Sequence, residues 1–231
     1  MAIEVPPHAP EPGAAIKIQI LSTEHWSLLA TRSLTYQESL GRVNMFLTIL
    51  SGAVIALALV AQADRFGTAF ISVAVFMLTV VFFTGVATVQ RLLMLNRDDY
   101  KWVIGMNRLR HGYLELHPEL EPNFTTSRYD DLPGALDTLG LDPASAPNLG
   151  TIFHAFVTLP GMLGVIVASV GGAIAALAAI GFGAPTYGVL LAGAAAFIAS
   201  LAAIMRTGRR SFRRYGPSAE TRFPTPSKSP T

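Results

Sequence analysis

The chain has no cysteine. Disulfides, thiolate metal sites and cysteine nucleophiles are thereby excluded. Charge is also scarce: 14% of the 231 residues are Asp, Glu, Lys or Arg, against about 25% in an ordinary soluble domain. The shortage is local. No Asp, Glu, Lys, Arg or His falls within residues 45–61, 66–89, 156–180 or 187–205. Ionisable residues inside apolar spans usually mark ion or proton pathways, so their absence argues against a pump or transporter working through buried carboxylates. Neither a Walker-type loop nor a dinucleotide glycine fingerprint is present. Residues 1–13 are proline-rich and lack the basic-then-apolar order of a secretory leader, so the full chain is expected to be the mature protein.

What is present is apolar length. Hydrophobic residues make up 51% of the chain and mean hydropathy is +0.45, concentrated in the four runs. About 18 or more apolar residues cross a hydrocarbon core as a helix. The fold class expected is all-α: a four-helix polytopic membrane protein of two helical hairpins with helical cytoplasmic extensions. The expected division is a disordered N-terminal segment over 1–21 and an amphipathic lead-in helix with the first hairpin over 22–90, its spans near 44–62 and 66–90. A cytoplasmic segment follows over 91–150, then a second hairpin over 151–205, with spans near 155–180 and 187–205. A basic juxtamembrane and disordered tail closes the chain over 206–231.

Orientation follows Lys and Arg near span ends. If both termini and the central segment face the cytoplasm, sixteen of the seventeen basic residues lie on one side and only Arg65 falls outside. The expected location is the plasma (inner) membrane, multi-pass, with both termini cytoplasmic. The connections agree with hairpins: residues 62–65 and 181–186 are short, and the second contains Gly183 and Pro185.

Outside the spans, Trp26, Leu29, Ser33, Tyr36, Leu40 and Val43 recur at spacings of three and four, one face of an amphipathic helix. Such a helix either lies on the membrane or the cytoplasmic segment, or forms a partner-binding coiled coil. Residues 91–116 contain no proline and continue the second span as one long helix that ends before Pro118. Two extended helices would then pack and bury Trp26 and Trp102. Within the proline-rich connector, Asp130 or Asp131, Pro133 and Gly140 predict a short helix. Asn148 or Thr151 is the predicted cap of the third span.

Lipid tails are as apolar as leucine, so spans associate by close packing. Gly164, Ala168, Gly172 and Ala176 form a small-residue stripe on the third span, and Gly188, Ala192, Ala196 and Ser200 form one on the fourth. These stripes serve the hairpin seam or a homo-oligomer interface. The second span, with Phe70, Phe76, Phe82 and Phe83, is expected to face lipid more than the others.

Candidate chemistry is sparse. Asn44, Thr48 and Ser51 share a helical face and are candidate pore-lining residues, against the commoner reading of packed or back-bonded hydroxyls. His111, Glu115 and His117 are the best metal candidates, but no cysteine or second histidine pair accompanies them, and a solvated charged face is the stronger reading. No metal, cofactor or catalytic residue is assigned. Asp98, Asp99, Glu119, Glu121, Asp130 and Asp131 show no catalytic spacing. Arg206, Arg209, Arg210, Arg213 and Arg214 adjoin the last span, where they set topology and attract anionic lipid headgroups; Ser211 among them is a candidate electrostatic switch. The expected partners are membrane lipid, further copies of the chain and a cytoplasmic protein, not nucleic acid. The function expected is a non-enzymatic interaction or regulatory module. A pore gated through its cytoplasmic helices is the alternative, and an enzyme using the central segment is third.

Overall fold

A computed structural model describes residues 12–141, 158–215 and 220–226; the side chains of residues 12, 209 and 211–215 lie outside that description. Among the described residues the chain is all-helical with no strand. The α-helices are α1 (Pro12–Asp64), α2 (Thr68–Leu116), α3 (Leu132–Thr138), α4 (Leu159–Gly181) and α5 (Thr186–Tyr215), with a 3-10 helix over Pro118–Asn123. Four of them, α1, α2, α4 and α5, are long and apolar enough to cross a membrane. At 53 and 49 residues, α1 and α2 are far longer than the roughly 20 residues that a crossing needs.

The helix start at Pro12 corrects the expected boundary: residues 12–21 are helical, not disordered. Proline is tolerated in a first turn because its missing N–H would have no helical partner there. Ala14, Ala15, Ile16, Lys17 and Ile18 then sustain the helix.

Contacts divide the chain into two compact units. One, the apolar unit, comprises Thr35–Arg97 and Ser145–Gly216. Its core takes Phe46, Ala53, Leu57 and Ala61 from α1, Phe70, Ala74, Leu78, Val81, Val89, Leu92 and Leu95 from α2, and Leu163, Val167 and Val170 from α4. A side chain at Gly85 would collide with the Val167 methyl and the Phe46 ring, so this glycine lets three helices meet closely. The expectation that α2 faces lipid most is therefore overturned. Phe76 and Phe83 are exposed, but Phe70 is buried and Phe82 packs on the core. It is α5 that has no fully buried residue among those described.

Both turns of this unit have a local cause. Between α1 and α2, Arg65 and Phe66 adopt positive φ (45° and 63°), which non-glycine residues seldom do. Asp64 holds them there: its carbonyl accepts from the Gly67 N–H (2.9 Å) and its carboxylate accepts from the Phe70 N–H (2.7 Å). Between α4 and α5, Gly183 (φ 72°) ends the helix, and the Ala184 N–H reaches the Ala179 carbonyl at 2.9 Å, a Schellman closure. Thr158 caps α4, its hydroxyl accepting from the Gly161 N–H at 3.3 Å. The predicted caps Asn148 and Thr151 lie outside the described residues.

The second, polar unit comprises Met1–Leu34, Asp98–Ala144 and Pro217–Thr231. Here Leu21, His25, Leu28 and Arg32 of α1, spaced four, three and four apart, meet α2. Leu21 and Leu28 lie over Gly112 and Gly105, and His25 stacks on Tyr113 at 5.9 Å. Arg32 forms a forked ion pair with Asp99 (2.7 and 3.3 Å). This face is not the predicted one. Trp26 is 71% exposed and Leu29 41%, so the expected burial of Trp26 is wrong. The glycines of α2 select a neighbouring face of α1, roughly a quarter turn away, by offering hollows that leucine side chains fill. Helix α3 forms where expected, capped by Asp131, with Pro133 in its first turn and Gly140 (φ 70°) beyond its end.

Candidate functional site

The most elaborated chemistry lies in the polar unit. Asn107, on α2, is fully buried. Its amide nitrogen donates to the carbonyls of Tyr129 (2.7 Å) and Gly134 (3.2 Å). Its amide oxygen accepts from Arg110 Nη1 (2.7 Å) and Thr138 Oγ1 (2.9 Å). A buried amide with both ends satisfied fixes the chain before α3 onto α2. Gly134 is required there, because a side chain would strike the Tyr129 carbonyl.

This hub presents Asp130 and Asp131 to a strap formed by the C-terminal residues 220–226. The Asp130 side chain has no exposed surface. Its carboxylate accepts from the backbone N–H of Arg222 (2.9 Å to the nearer oxygen), the N–H of Phe223 (2.8 Å) and Arg108 Nε (2.7 Å). In return the Asp130 N–H donates to the Phe223 carbonyl at 3.1 Å. Asp131 accepts from the Thr225 N–H (2.7 Å) and the Thr225 hydroxyl (2.8 Å) while capping α3 through the Gly134 N–H (2.9 Å). The Phe223 ring stacks on His111 with centroids 3.8 Å apart, and Arg108 also donates to the Glu220 carbonyl.

Burial pushes both carboxyls up, but the backbone N–H donors outweigh it, those of Arg222 and Phe223 for Asp130 and those of Thr225 and Gly134 for Asp131. Both therefore lie below the usual aspartate value, and Arg108 adds to the effect at Asp130. Beside the clamp is a cleft of about 390 Å³ whose walls include Glu121, Ser127, Arg128, Asp137 and Thr225. The strap corrects the expectation of a disordered tail: residues 206–215 continue α5 and residues 220–226 are tied to the acid pair.

The predicted residues fall as follows. His111 Nε2 lies 3.5 Å from Glu115, but His117 pairs with Glu119 (2.9 Å), so the three do not converge. No group of three metal-ligating side chains occurs among the described residues. Asn44, Thr48 and Ser51 are exposed on the outside of α1, and the Thr48 hydroxyl donates back to the Asn44 carbonyl (2.9 Å). Gly164, Ala168 and Gly172 are buried and Ala176 is half-buried.

On α5 the close approaches come from Gly193, Phe197, Ser200 and Ile204. A side chain at Gly172 would meet the Gly193 carbonyl at 2.9 Å and Phe197 Cβ at 3.3 Å, one at Gly171 the Ser200 hydroxyl at 2.9 Å, and one at Gly164 Ile204 at 3.3 Å. Ser200 of the predicted stripe thus lies in this seam. Gly188 would meet only Ala184 and Pro185 beside it, and Ala192 and Ala196 are half-buried. Arg206 and Arg210 are exposed; the side chains of Arg209, Arg213 and Arg214 lie outside the description.

The sequence reading missed the Asn107 hub and the strap. Two signals were available: an asparagine within a helix otherwise rich in apolar and arginine residues, and Phe223 as the lone aromatic in residues 216–231. Comparison with known protein families, curated proteins and solved structures returns no match.

Proposed function

We propose that the chain is a multi-pass inner-membrane protein, both termini cytoplasmic, that works as an oligomeric interaction or regulatory module and not as an enzyme. The observation that carries this reading is the apolar surface of the polar unit. Ile16, Ile20, Trp26, Leu29 and Leu34 are all exposed on α1, with Trp26 at 71%, although none lies in an apolar run long enough to cross a membrane. Large apolar side chains left exposed along one helix of an otherwise polar unit point to a binding surface. The same helix packs the half-buried Leu21 and Leu28 against the glycines of α2, so its exposed side is spare once the unit has folded.

The test is site-specific photo-crosslinking from position 26 in the full chain, in intact cells. A discrete protein adduct, to a second copy or to another protein, supports the reading. Crosslinks to lipid alone would defeat it, because the face would then serve only to rest on the bilayer. Labelling the tails in intact and opened cells tests the orientation separately.

A pore is the second reading. Asn44, Thr48 and Ser51 are polar and lie on the outer surface of α1, where hydrocarbon is a poor environment and another helix or water a better one. Several copies would have to bring these faces together around a path. Conductance of purified protein in planar bilayers, altered by Asn44→Leu, tests it.

A further inference from the structure

We propose that Thr225 is a phosphorylation site and that its modification releases the C-terminal strap from the Asp130–Asp131 clamp. Hydrogen bonds to the acid pair hold the strap. Its described polar attachments to the clamp are mostly donors placed on carboxylates: the N–H groups of Arg222 and Phe223 on Asp130, and the N–H and hydroxyl of Thr225 on Asp131. A contact built on two anions is stable while the strap brings hydrogens to it. Negative charge arriving on the strap reverses that balance.

Thr225 is where such charge can be delivered. It is exposed, unlike Asp130 beneath it. It lies between Pro224 and Pro226, which exclude helix and keep the segment extended. Its hydroxyl is the single side-chain hydrogen that the strap gives to Asp131. The donor is a nucleoside triphosphate used by a threonine protein kinase. The γ-phosphorus gains a bond to Thr225 Oγ1 and loses its bond to the β–γ bridging oxygen. The nucleoside diphosphate leaves, and the hydroxyl proton passes to the kinase's base. The product carries about −2 charge, and its side chain has no hydrogen left to give to Asp131.

The surrounding charges decide the direction. Asp131 and Asp130 face the strap, and Asp137 and Glu121 line the cleft that Thr225 also lines. Of the cations, Arg108 is committed to Asp130 and the Glu220 carbonyl; Arg128 is paired with Glu121 at 3.4 Å and lies over the Tyr129 ring, with its Nε buried and unpartnered; and Arg222 is exposed and travels with the strap. The phosphate therefore enters a site with more anions than free cations, and the strap leaves.

Phosphoryl transfer requires nucleotide on the strap's side of the membrane, so this inference rests on the cytoplasmic orientation proposed above. The experiment uses the full chain in lipid nanodiscs, with phosphothreonine installed at position 225 by codon suppression, beside Thr225→Glu and Thr225→Ala. Hydrogen exchange is read at the amides of Arg222, Phe223 and Thr225. Phosphothreonine and glutamate should raise their exchange by about tenfold or more, and alanine, which loses one hydrogen bond, by a few-fold. Amides around Val103 and Ile104 should keep their protection, showing that the unit is folded.

Unchanged or stronger protection in the phosphothreonine chain, as an Arg128–phosphate pair would produce, overturns the proposal. Protein purified from its native cells in growth and in stress is then weighed by mass spectrometry. Modified Thr225 supports the assignment. An unmodified tail that labelling places in the cytoplasm refutes the site itself, whereas a tail on the exterior refutes it through the orientation.

Discussion

The two units are built largely from the same pair of helices, yet they are held by opposite means. In the apolar unit α1, α2 and α4 meet over Gly85, and α4 and α5 meet over Gly172 and Gly193, with carbon against carbon or carbonyl. In the polar unit the apolar core is small, with Tyr100, Val103, Ile104 and Ala135, and the weight is taken by Asn107, Arg108, Asp130 and Arg32–Asp99. The difference follows from solvent. Water competes for the polar contacts of the polar unit, so those that are buried and fully paired, as at Asn107 and Asp130, hold most firmly. Where lipid surrounds the helices no competitor for hydrogen bonds exists and no hydrophobic drive exists either, so contact distance decides.

The largest effect expected from breaking this comparison is at Gly172. Gly172→Leu drives Cβ to 2.9 Å from the Gly193 carbonyl, a backbone atom that cannot rotate away. Overpacking at a backbone contact should cost about 3 kcal/mol, the upper end of the usual range. Denaturation in mixed detergent micelles should show the loss, with exchange protection falling along α4 and α5 and holding at the Asn107 hub. Equal loss in both units would mean that they unfold as one and that the contrast between them has no energetic meaning.

Next in size is Asn107→Leu. The side chain is nearly isosteric but removes all four hydrogen bonds, leaving the buried Arg110 and the carbonyls of Tyr129 and Gly134 short of partners. Unsatisfied buried groups cost about 1–3 kcal/mol each, but water reaches the part-buried Tyr129 carbonyl and Thr138 hydroxyl, so a loss of about 2–3 kcal/mol in the stability of the polar unit is expected. Limited proteolysis near residues 117–131 should accelerate while the α4–α5 hairpin stays resistant. Resistance unchanged near 117–131 would sink the claim that this hub holds the unit together.

These two sites also show what a sequence discloses. Span length is a one-dimensional property, so the four apolar helices, both hairpin turns and the long continuation of α2 to Leu116 were legible. So was α3, because Asp131, Pro133 and Gly140 act locally. The choice of helix face was not. Trp26 and Leu29 offer as good an apolar stripe as Leu21 and Leu28, and the decision lies in the hollows at Gly105 and Gly112, about eighty residues away. On α5 the expected stripe of Gly188, Ala192, Ala196 and Ser200 reaches the α4 glycines at Ser200, and Gly193, Phe197 and Ile204 make the other close approaches. The strap was illegible for another reason: Arg222 and Phe223 bind Asp130 through backbone N–H groups, which every non-proline residue owns and no composition reveals.

The smallest effect is the most local and concerns pH. Asp130 and Asp131 have lowered folded values, so their ionised forms are the ones that the folded unit favours. Stability from such a group is fully present above its unfolded value, about 3.9, and is lost as pH falls through the lower folded one. The strap should therefore stay protected between pH 7 and 5 and loosen only below about pH 4, as the carboxylates gain protons and can accept fewer hydrogen bonds. The carbon-packed α4–α5 seam, with no titratable group in its contacts, should show no change over that range. His111→Gln removes the imidazole stacked on Phe223, leaving the acid pair as the strap's anchor. Exchange at the Phe223 amide, read against pH in that variant, gives the answer directly: release already at pH 6 would assign the strap's hold to groups other than the acid pair, and an acid-induced loss of equal size in α4 and α5 would show global unfolding instead of a released clamp.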